Sequence, residues 1–227
     1  MFTALRPARP AADRSALERL GSAVRQRLDA DPAAWRIPVE AAEIYAIGQF
    51  LSAQECTRFI AMVDEVAQPS ATFDPSSQQT YRTSFSGDVD REDPFVRMIE
   101  RRIDDLLGIA PAYGETVQGQ RYRPGQEFKA HHDWFYTDAA YWPQEKRHGG
   151  QRSWTAMIYL NQVEAGGATV FPDLGVSVTP EPGMLLAWNN ATPDGLPNPA
   201  TLHAAEPVAS GVKYVITKWY RTRRWGA

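Results

Sequence analysis

The chain has little cysteine, little net charge and no long apolar run. Its single cysteine, Cys56, excludes an intrachain disulfide and a cysteine-based zinc cluster. The formal net charge of -3 provides no overall field that would attract nucleic acid or an anionic membrane. No stretch approaches the ~18 apolar residues that span a bilayer, and the N-terminus lacks the apolar run of a secretory signal. We therefore expect a cytoplasmic protein with no nucleic-acid partner and no membrane partner.

What the chain does contain is enough apolar sequence for one domain with a sizeable core, at 227 residues and 43% hydrophobic composition. Residues 1–12 are rich in Pro, Ala and Arg and predict a disordered lead-in. An amphipathic helix is predicted by apolar residues at three- and four-residue steps: Leu17, Leu20, Val24 and Leu28. We assign both segments to an N-terminal extension, residues 1–40, and residues 41–227 to the main domain.

Helix signals in the N-terminal half give way to strand signals further on. Ser52 and Glu55 form a capping box for a helix that runs towards Val66, and Pro94 and Gly108 bracket another helix. Strands are predicted over residues 44–50, 117–122, 128–133, 154–160, 168–171, 176–179, 184–188 and 212–220. Closely spaced strands with added helices are typical of a β-sandwich or barrel braced by helices.

Two histidines and one aspartate form a candidate metal site. His131 and Asp133 are two residues apart on a predicted strand, so their side chains leave the same face, whereas His132 points the other way. His203 lies in a predicted polar loop. Two imidazoles and one carboxylate on one face of a ferrous ion leave positions for O₂ and a cosubstrate, as in non-haem iron oxygenases. A His-any-Asp triplet is weak evidence by itself, so histidines without a ligand role stay an alternative.

Lys213 is a candidate cation for an anionic ligand. It stands ten residues after His203 and shares one strand face with Val215, Thr217 and Trp219. An inward-pointing lysine is costly to bury without an anionic partner, and a bound carboxylate would supply that partner. The alternative is a lysine at a frayed strand start that reaches solvent.

Several motifs follow one another in a specific order, and the residues that carry them are Arg121-Tyr122-Arg123-Pro124-Gly125-Gln126, Phe128, His131-His132-Asp133, Gly166-Gly167-Ala168-Thr169-Val170-Phe171-Pro172, Leu202-His203-Ala204-Ala205 with Pro207, Lys213 and Lys218-Trp219. Together they resemble the prolyl 4-hydroxylase branch of the Fe(II)/2-oxoglutarate dioxygenases. The resemblance runs from about Ile44 to Arg221, and so covers most of residues 41–227. It implies an α+β, mainly β, fold: a double-stranded β-helix, or jelly roll, with the N-terminal helices packed on the larger sheet.

The resemblance also implies roles for individual residues. His131, Asp133 and His203 would be the catalytic Fe(II) ligands, and Lys213 would pair with the distal carboxylate of the cosubstrate 2-oxoglutarate. The hydroxyls of Tyr122 and Thr169 would bond near that carboxylate, and Trp219 would line the pocket; ordinary β-sheet roles are the alternative for the first two. O₂ is the implied oxidant, and ascorbate is a further candidate cofactor. Retention of Asp133 favours hydroxylation over halogenation, because the carboxylate occupies the position that a halide needs.

Three residues are candidate substrate contacts. Arg152 matches a position that contacts peptide in prolyl hydroxylases, and Arg82 lies in a stretch similar to the family's flexible loop over the cleft. Either arginine could instead be a surface cation. Phe128 stands where the family often has tyrosine, which leaves the prolyl assignment open. We expect hydroxylation of a prolyl residue in a peptide or protein with release of succinate and CO₂. The alternatives are a free amino acid or other small metabolite, or a non-catalytic module that binds 2-oxoglutarate or iron.

Two further segments are interpreted from their composition. Residues 134–150 are aromatic and charged, and a loop of this length directly after a metal strand is a candidate lid, unless it only covers the barrel mouth. Arg221, Arg223 and Arg224 form a basic cluster that we interpret as a solvated tail. Nucleic-acid demethylases with the same metal pattern usually carry arginine at the place of Lys213, which argues against a phosphate-binding role. The sequence does not indicate the oligomeric state.

Overall fold

The structure is a computed structural model, and it describes residues 13–70 and 81–226. The α-helices are α1 (Arg14–Ala30), α2 (Ala53–Val66), α3 (Pro94–Leu107) and α4 (Trp142–Arg147). The strands are β1 (Ala34–Arg36), β2 (Ile44–Ile47), β3 (Gln68–Pro69), β4 (Phe85–Asp88), β5 (Gln118–Tyr122), β6 (Phe128–His131), β7 (Arg152–Tyr159), β8 (Ala165–Gly166), β9 (Thr169–Phe171), β10 (Val176–Val178), β11 (Leu185–Asn189), β12 (His203–Ala205), β13 (Val208–Ser210) and β14 (Lys213–Arg221). The lead-in predicted over residues 1–12 lies outside the described residues.

The predicted helices form where their capping signals stand. The Ser52 side chain accepts from the Glu55 backbone N–H, and the Glu55 carboxylate accepts from the Ser52 N–H, which completes a capping box at the start of α2. Asp93 caps α3, and Gly108 ends it at a positive φ of 67°. None of the described helices combines the length and the apolar character that a membrane crossing requires.

Within the described residues, all strands pair antiparallel and form one large and two smaller sheets. The eight-stranded sheet has the order β1-β2-β11-β7-β14-β5-β4-β3, and the four-stranded sheet has the order β10-β9-β12-β6. A third, two-stranded sheet consists of β13 and β8. Strand β1 falls within the proposed extension of residues 1–40 and pairs with β2 at the edge of the large sheet.

Successive side chains of the central strands point to opposite faces of the large sheet, so a hydrophobic core forms on each face. Ile158 and Ile216 point to one face, where they pack in a cluster with residues of helices α1, α2 and α3. Met157, Tyr159 and Val215 point to the other face and pack against residues of the four-stranded sheet. The helices therefore cover the outside of the large sheet, and the space between the two sheets is left for a site.

Several predicted boundaries are wrong in ways that bear on the site. His203 was expected in a polar loop but begins strand β12. Strand β6 ends at His131, so Asp133 lies in the following turn. The stretch from 134 to 150 is not a plain loop, because α4 lies within it. Most of these differences arise from short strands that pair only through tertiary contacts, which local sequence does not encode.

Candidate active site

The structure brings the three predicted metal ligands together between the sheets. His131 ends β6 and His203 begins β12, and the two residues are direct partners in the antiparallel register. Asp133 follows two residues after His131 and places a carboxylate between the imidazoles: its Oδ1 is 4.0 Å from His131 Nε2, and its Oδ2 is 3.8 Å from His203 Nε2. One ligand atom from each residue lies within 4.8 Å of the other two.

Hydrogen bonds to the backbone orient both imidazoles. His131 Nδ1 is 2.8 Å from the carbonyl oxygen of Lys129, and His203 Nδ1 is 3.0 Å from that of Thr201. A carbonyl oxygen can only accept, so each Nδ1 carries the proton and donates it. In a neutral imidazole whose proton is on Nδ1, Nε2 keeps a free lone pair, and here both Nε2 atoms face the centre of the triad. This is the tautomer that a metal-binding histidine requires.

Aromatic rings hold the two histidines from outside. The ring of Phe128 stacks on His131 with centroids 3.6 Å apart and planes 15° apart. Trp188 and Phe171 lie against His203, with centroids at 4.9 and 5.7 Å. These contacts remove rotamer freedom before any ligand binds, so the donor set is preorganised.

Asp133 is buried and its carboxylate is ionised. Burial alone would raise the pKa of Asp133, but the electrostatic influence of the neighbouring His203, His131 and Arg152 side chains and a hydrogen bond from Thr155 outweigh it and lower the pKa. Two neutral imidazole nitrogens and one carboxylate oxygen on one side of a centre fit a ferrous ion with positions open on its other side. Such an ion, with 2-oxoglutarate and O₂ bound, supplies the oxidising chemistry.

Lys213 begins β14 and points into a narrow cavity that continues from the triad. Its ammonium lies 3.5 Å from Thr169 Oγ1 and over the rings of Tyr122 and Tyr159, at 5.3 and 5.5 Å from their centroids. Burial lowers the pKa of Lys213 to about 7, although Glu206 acts to raise it. In the described part of the chain Lys213 forms no salt bridge, so the cavity has a buried cation suited to a carboxylate ligand.

The predicted strand face is present, since Lys213, Val215, Thr217 and Trp219 all line this cavity. Tyr122 stands opposite Lys213 in the β5–β14 register, and its hydroxyl donates to Gln120 Oε1 at 2.8 Å. Thr169 is buried on the same cavity wall. The frayed-end alternative for Lys213 is wrong, because its side chain is 1% exposed.

A larger cleft of about 1000 Å³ opens on the other side of the triad. It shares His131, Asp133, Phe128 and Trp219 with the narrow cavity, so the two spaces meet at the triad. Aromatic side chains of the rim add to its walls: Tyr81, Trp134, Phe135, Tyr136, Tyr141 and Trp225. The indole nitrogen of Trp219 is buried and, within residues 13–70 and 81–226, has no hydrogen-bond partner. The cleft therefore offers aromatic faces beside the metal ligands.

Both candidate substrate arginines line the cleft, but neither extends freely from the surface. Arg152 is buried and forms a two-pronged ion pair with Glu115, at 2.7 and 2.8 Å, while its guanidinium lies 4.1 Å from the Trp219 ring centroid. The surface-cation alternative for Arg152 is therefore wrong. Arg82 is half-buried: it donates to Gln118 and lies 4.7 Å from the ring centroid of Phe128. Burial lowers the pKa of Arg82.

The interpretation of Arg221 as part of a solvated tail is also wrong. Arg221 is the last residue of β14, is buried, and pairs with both Glu115 and Glu145. Its guanidinium and that of Arg152 lie 4.5 and 4.9 Å from the ring centroid of Phe135. These charges form one network that fixes the rim of the cleft. Arg223 is exposed and pairs with Asp13.

Sequence reasoning missed Thr155, Asn190 and Glu115. Thr155 donates a hydrogen bond to Asp133, Asn190 donates one to Thr155, and Glu115 joins Arg152 to Arg221. A usable signal existed for Thr155, which is a polar residue at an inward position of the predicted strand 154–160. For Asn190 and Glu115 the partners are distant in sequence, and no local pattern identifies them.

Known proteins share both the sequence and the architecture. The profile of the 2OG-Fe(II) oxygenase superfamily matches residues 117–221. Probable prolyl 4-hydroxylase 10 of Arabidopsis thaliana is 32% identical over 200 residues, which cover 78% of this chain and 68% of that protein. Prolyl 4-hydroxylase subunit alpha-1 of Gallus gallus is 36% identical over 174 residues, which cover 72% of this chain and 33% of that subunit.

Among solved structures, the viral collagen prolyl hydroxylase of Paramecium Bursaria Chlorella virus-1, in its 2OG complex, has 27% sequence identity and a TM-score of 0.61. The alignment covers 78% of this chain and 94% of that chain. The likeness confirms the predicted jelly roll with helices on its larger sheet. The chain therefore belongs to the 2OG-Fe(II) oxygenase superfamily, in its prolyl 4-hydroxylase-like branch, and is a 2-oxoglutarate-dependent dioxygenase with Fe(II) as its metal.

Proposed function

We propose that this dioxygenase hydroxylates a prolyl residue within a peptide or protein, and that His131, Asp133 and His203 bind the Fe(II). The observation that carries the substrate is the aromatic cleft of about 1000 Å³ that meets the triad. A free amino acid would fill a small part of that volume, which is at the upper end of the ~300–1000 Å³ typical of pockets for drug-sized ligands. Extended peptide would cover the aromatic walls. The relatives named as prolyl 4-hydroxylases support the same choice.

Lys213 is proposed to anchor 2-oxoglutarate in the narrow cavity. Its ammonium would pair with the distal carboxylate, with Thr169 and Tyr122 as nearby hydroxyl groups. Val215 and Trp219 would line the cosubstrate and keep water out. The opposite end of the cosubstrate would then lie at the triad, because the two sets of residues line one continuous cavity.

Substrate would lie on the other side of the triad. Trp219 forms part of both spaces, and its aromatic ring is suited to contact with an extended peptide. Arg152 is held by Glu115, so we assign it to the wall of the cleft, where it supports Trp219. The guanidinium of Arg82 lies over the ring of Phe128, and Arg82 would contact the substrate from the side of the cleft opposite Arg152. Phe128 orients His131 by stacking, a role that needs no hydroxyl.

The remaining proposals concern the surroundings of the enzyme. The buried free thiol of Cys56 is compatible with a reducing compartment, and we place the enzyme in the cytoplasm on that ground. Ascorbate is proposed as the reductant that keeps the iron ferrous, and it belongs in every assay.

The test is a product assay with Fe(II), ascorbate and 2-oxoglutarate. Proline-rich peptides and free amino acids are offered side by side, and mass spectrometry detects the gain of one oxygen atom while succinate is measured separately. We expect oxygen in the peptides, and loss of both products in Asp133→Ala but not in the exposed control Asp173→Ala. Oxygen gained only by a free amino acid would overturn the peptide assignment, and absence of succinate with every substrate would overturn the activity.

A further inference from the structure

A chain of two hydrogen bonds leads from the end of β11 to the Asp133 carboxylate. Thr155 Oγ1 is 2.7 Å from Asp133 Oδ2, and Asn190 Nδ2 is 2.9 Å from Thr155 Oγ1. All three side chains are buried, with exposed fractions of 6%, 0% and 1% for Asp133, Thr155 and Asn190. Bulk water therefore does not compete for these bonds, and each is stronger than it would be at the surface.

The chemistry of the groups fixes the direction of the chain. An ionised carboxylate can only accept hydrogen bonds, so the hydroxyl of Thr155 must donate its single hydrogen bond to Asp133. The Thr155 oxygen must then accept from its other neighbour, which requires Asn190 to present its amide NH₂ rather than its carbonyl oxygen. Asn190 thereby holds the Thr155 hydroxyl group in one orientation, with its hydrogen atom directed at Asp133.

We propose that Thr155 and Asn190 are positioning residues for the metal-binding carboxylate. The hydrogen bond from Thr155 would hold Oδ2 of Asp133 away from the metal, so that the carboxylate binds the metal through one oxygen. The other coordination positions would then be left to 2-oxoglutarate and O₂. Removal of this support would let the carboxylate turn, which would weaken metal binding and admit a two-oxygen mode. The inference rests on the proposed role of Asp133 as an iron ligand.

A second observation supports a role for Asn190 beyond packing. Its Oδ1 is buried and, among the described residues, has no hydrogen-bond partner. An unpaired buried carbonyl oxygen is costly, and an apolar residue of similar size would avoid that cost. The bond to Thr155 accounts for an amide at this position.

The test measures Co(II) binding, by the absorption of the bound ion in the visible range, and the ratio of succinate to hydroxylated product. We expect Thr155→Val, which keeps the shape and removes the hydroxyl, to weaken Co(II) binding by about 10-fold or more and to raise the succinate ratio. Thr155→Ser, which keeps the hydroxyl, should have the wild-type Co(II) affinity and the wild-type ratio of succinate to hydroxylated product. Thr222→Val is the matched control, because it removes another buried threonine hydroxyl, one that bonds Asp13, Gly149 and Gln151 and none of the three ligands, and its Co(II) spectrum should equal that of the wild type.

The outcomes separate this inference from the proposed function. A wild-type protein that binds no Co(II) overturns the assignment of the ligands themselves. A wild type that binds Co(II), with Thr155→Val equal to it in affinity, spectrum and succinate ratio, overturns only the positioning role. Should Thr155→Val fail to fold by circular dichroism, Asn190→Ala decides, since it frees the hydroxyl to rotate. The expected loss in that variant is about fivefold in Co(II) affinity, as for one hydrogen bond, and no loss overturns the proposal.

Discussion

His131 and His203 face each other across the β6–β12 pair, with their ring centroids 4.2 Å apart. The pairing of two neighbouring strands, and not a loop, therefore sets the separation of the two imidazoles. Burial and the proximity of His203 lower the pKa of His131 well below its ordinary value, so His131 is neutral near pH 7. The His131 imidazole is thus ready to accept a cation without first losing a proton.

The first prediction concerns the ligands. His131→Ala and His203→Ala should each reduce Co(II) affinity by at least about 100-fold and abolish succinate release, because two ligands seldom retain a divalent ion. The control is His148→Ala, an exposed histidine at the end of α4. Equilibrium dialysis with Co(II) gives the affinities. Retention of full affinity in either ligand variant would contradict the assignment.

Lys213 should lower the stability of the folded enzyme and, at the same time, bind 2-oxoglutarate. Below pH 7, Lys213→Met should raise the melting temperature of the metal-free enzyme by about 4–8 °C, or on the order of 2 kcal/mol, because it removes a buried cation that forms no ion pair with the described residues. The same change should abolish saturable 2-oxoglutarate binding. Lys146→Met changes an exposed lysine and should do neither. Calorimetry measures both effects, and a lowered melting temperature would refute the account.

Binding of 2-oxoglutarate should depend on pH through Lys213. The groups that face its ammonium are Tyr122, Tyr159 and Thr169, with Glu206 at longer range. Its pKa of about 7 in the free site should rise when a carboxylate binds, so binding takes up a proton above pH 7. Affinity should be nearly constant below pH 7 and should fall by up to about tenfold per pH unit above it. Titration calorimetry at pH 8 in two buffers of different ionisation enthalpy would detect the proton, and equal heats would exclude it.

The same shift makes the stability of the metal-free enzyme depend on pH. The folded-state pKa of Lys213, about 7, lies below the ordinary value of 10.5, so the unfolded chain binds more protons between these two values. The Lys213 contribution to the free energy of unfolding should therefore rise with pH across that window. A comparison of urea unfolding at pH 7 and pH 9 in wild type and Lys213→Met isolates this contribution, since only the wild type has the group.

Glu115 should be far more important for stability than an exposed carboxylate. Glu115→Ala leaves Arg152 and Arg221 buried without their shared partner and should cost about 3–5 kcal/mol. Its matched control is Glu92→Ala, which breaks the exposed pair with Arg97 and should cost within about 1 kcal/mol. Urea unfolding provides both numbers, and a Glu115 cost as small as the control would show that the network does not stabilise the rim.

Local signals in the sequence predicted helices α1, α2 and α3 and the strand face that lines the narrow cavity. Ser52 and Glu55 define the start of α2 through bonds within one turn, and Lys213 with Trp219 shares a face through simple alternation. The placement of Arg221 could not be predicted this way, because its partners Glu115 and Glu145 lie more than 70 residues earlier. Interactions of that kind depend on the assembled sheet, so composition alone suggested a solvated tail.

The nine residues of β14 fix the length of the active site as well as its contents. Lys213, the proposed cosubstrate anchor, and Trp219, which borders the cleft, are six residues apart on one strand, or about 20 Å at the usual rise per residue. Insertion of a single residue between them would turn one of the two side chains to the helix-covered face. Loops of this enzyme can vary in length while the chemistry is kept, but β14 can change only by substitution.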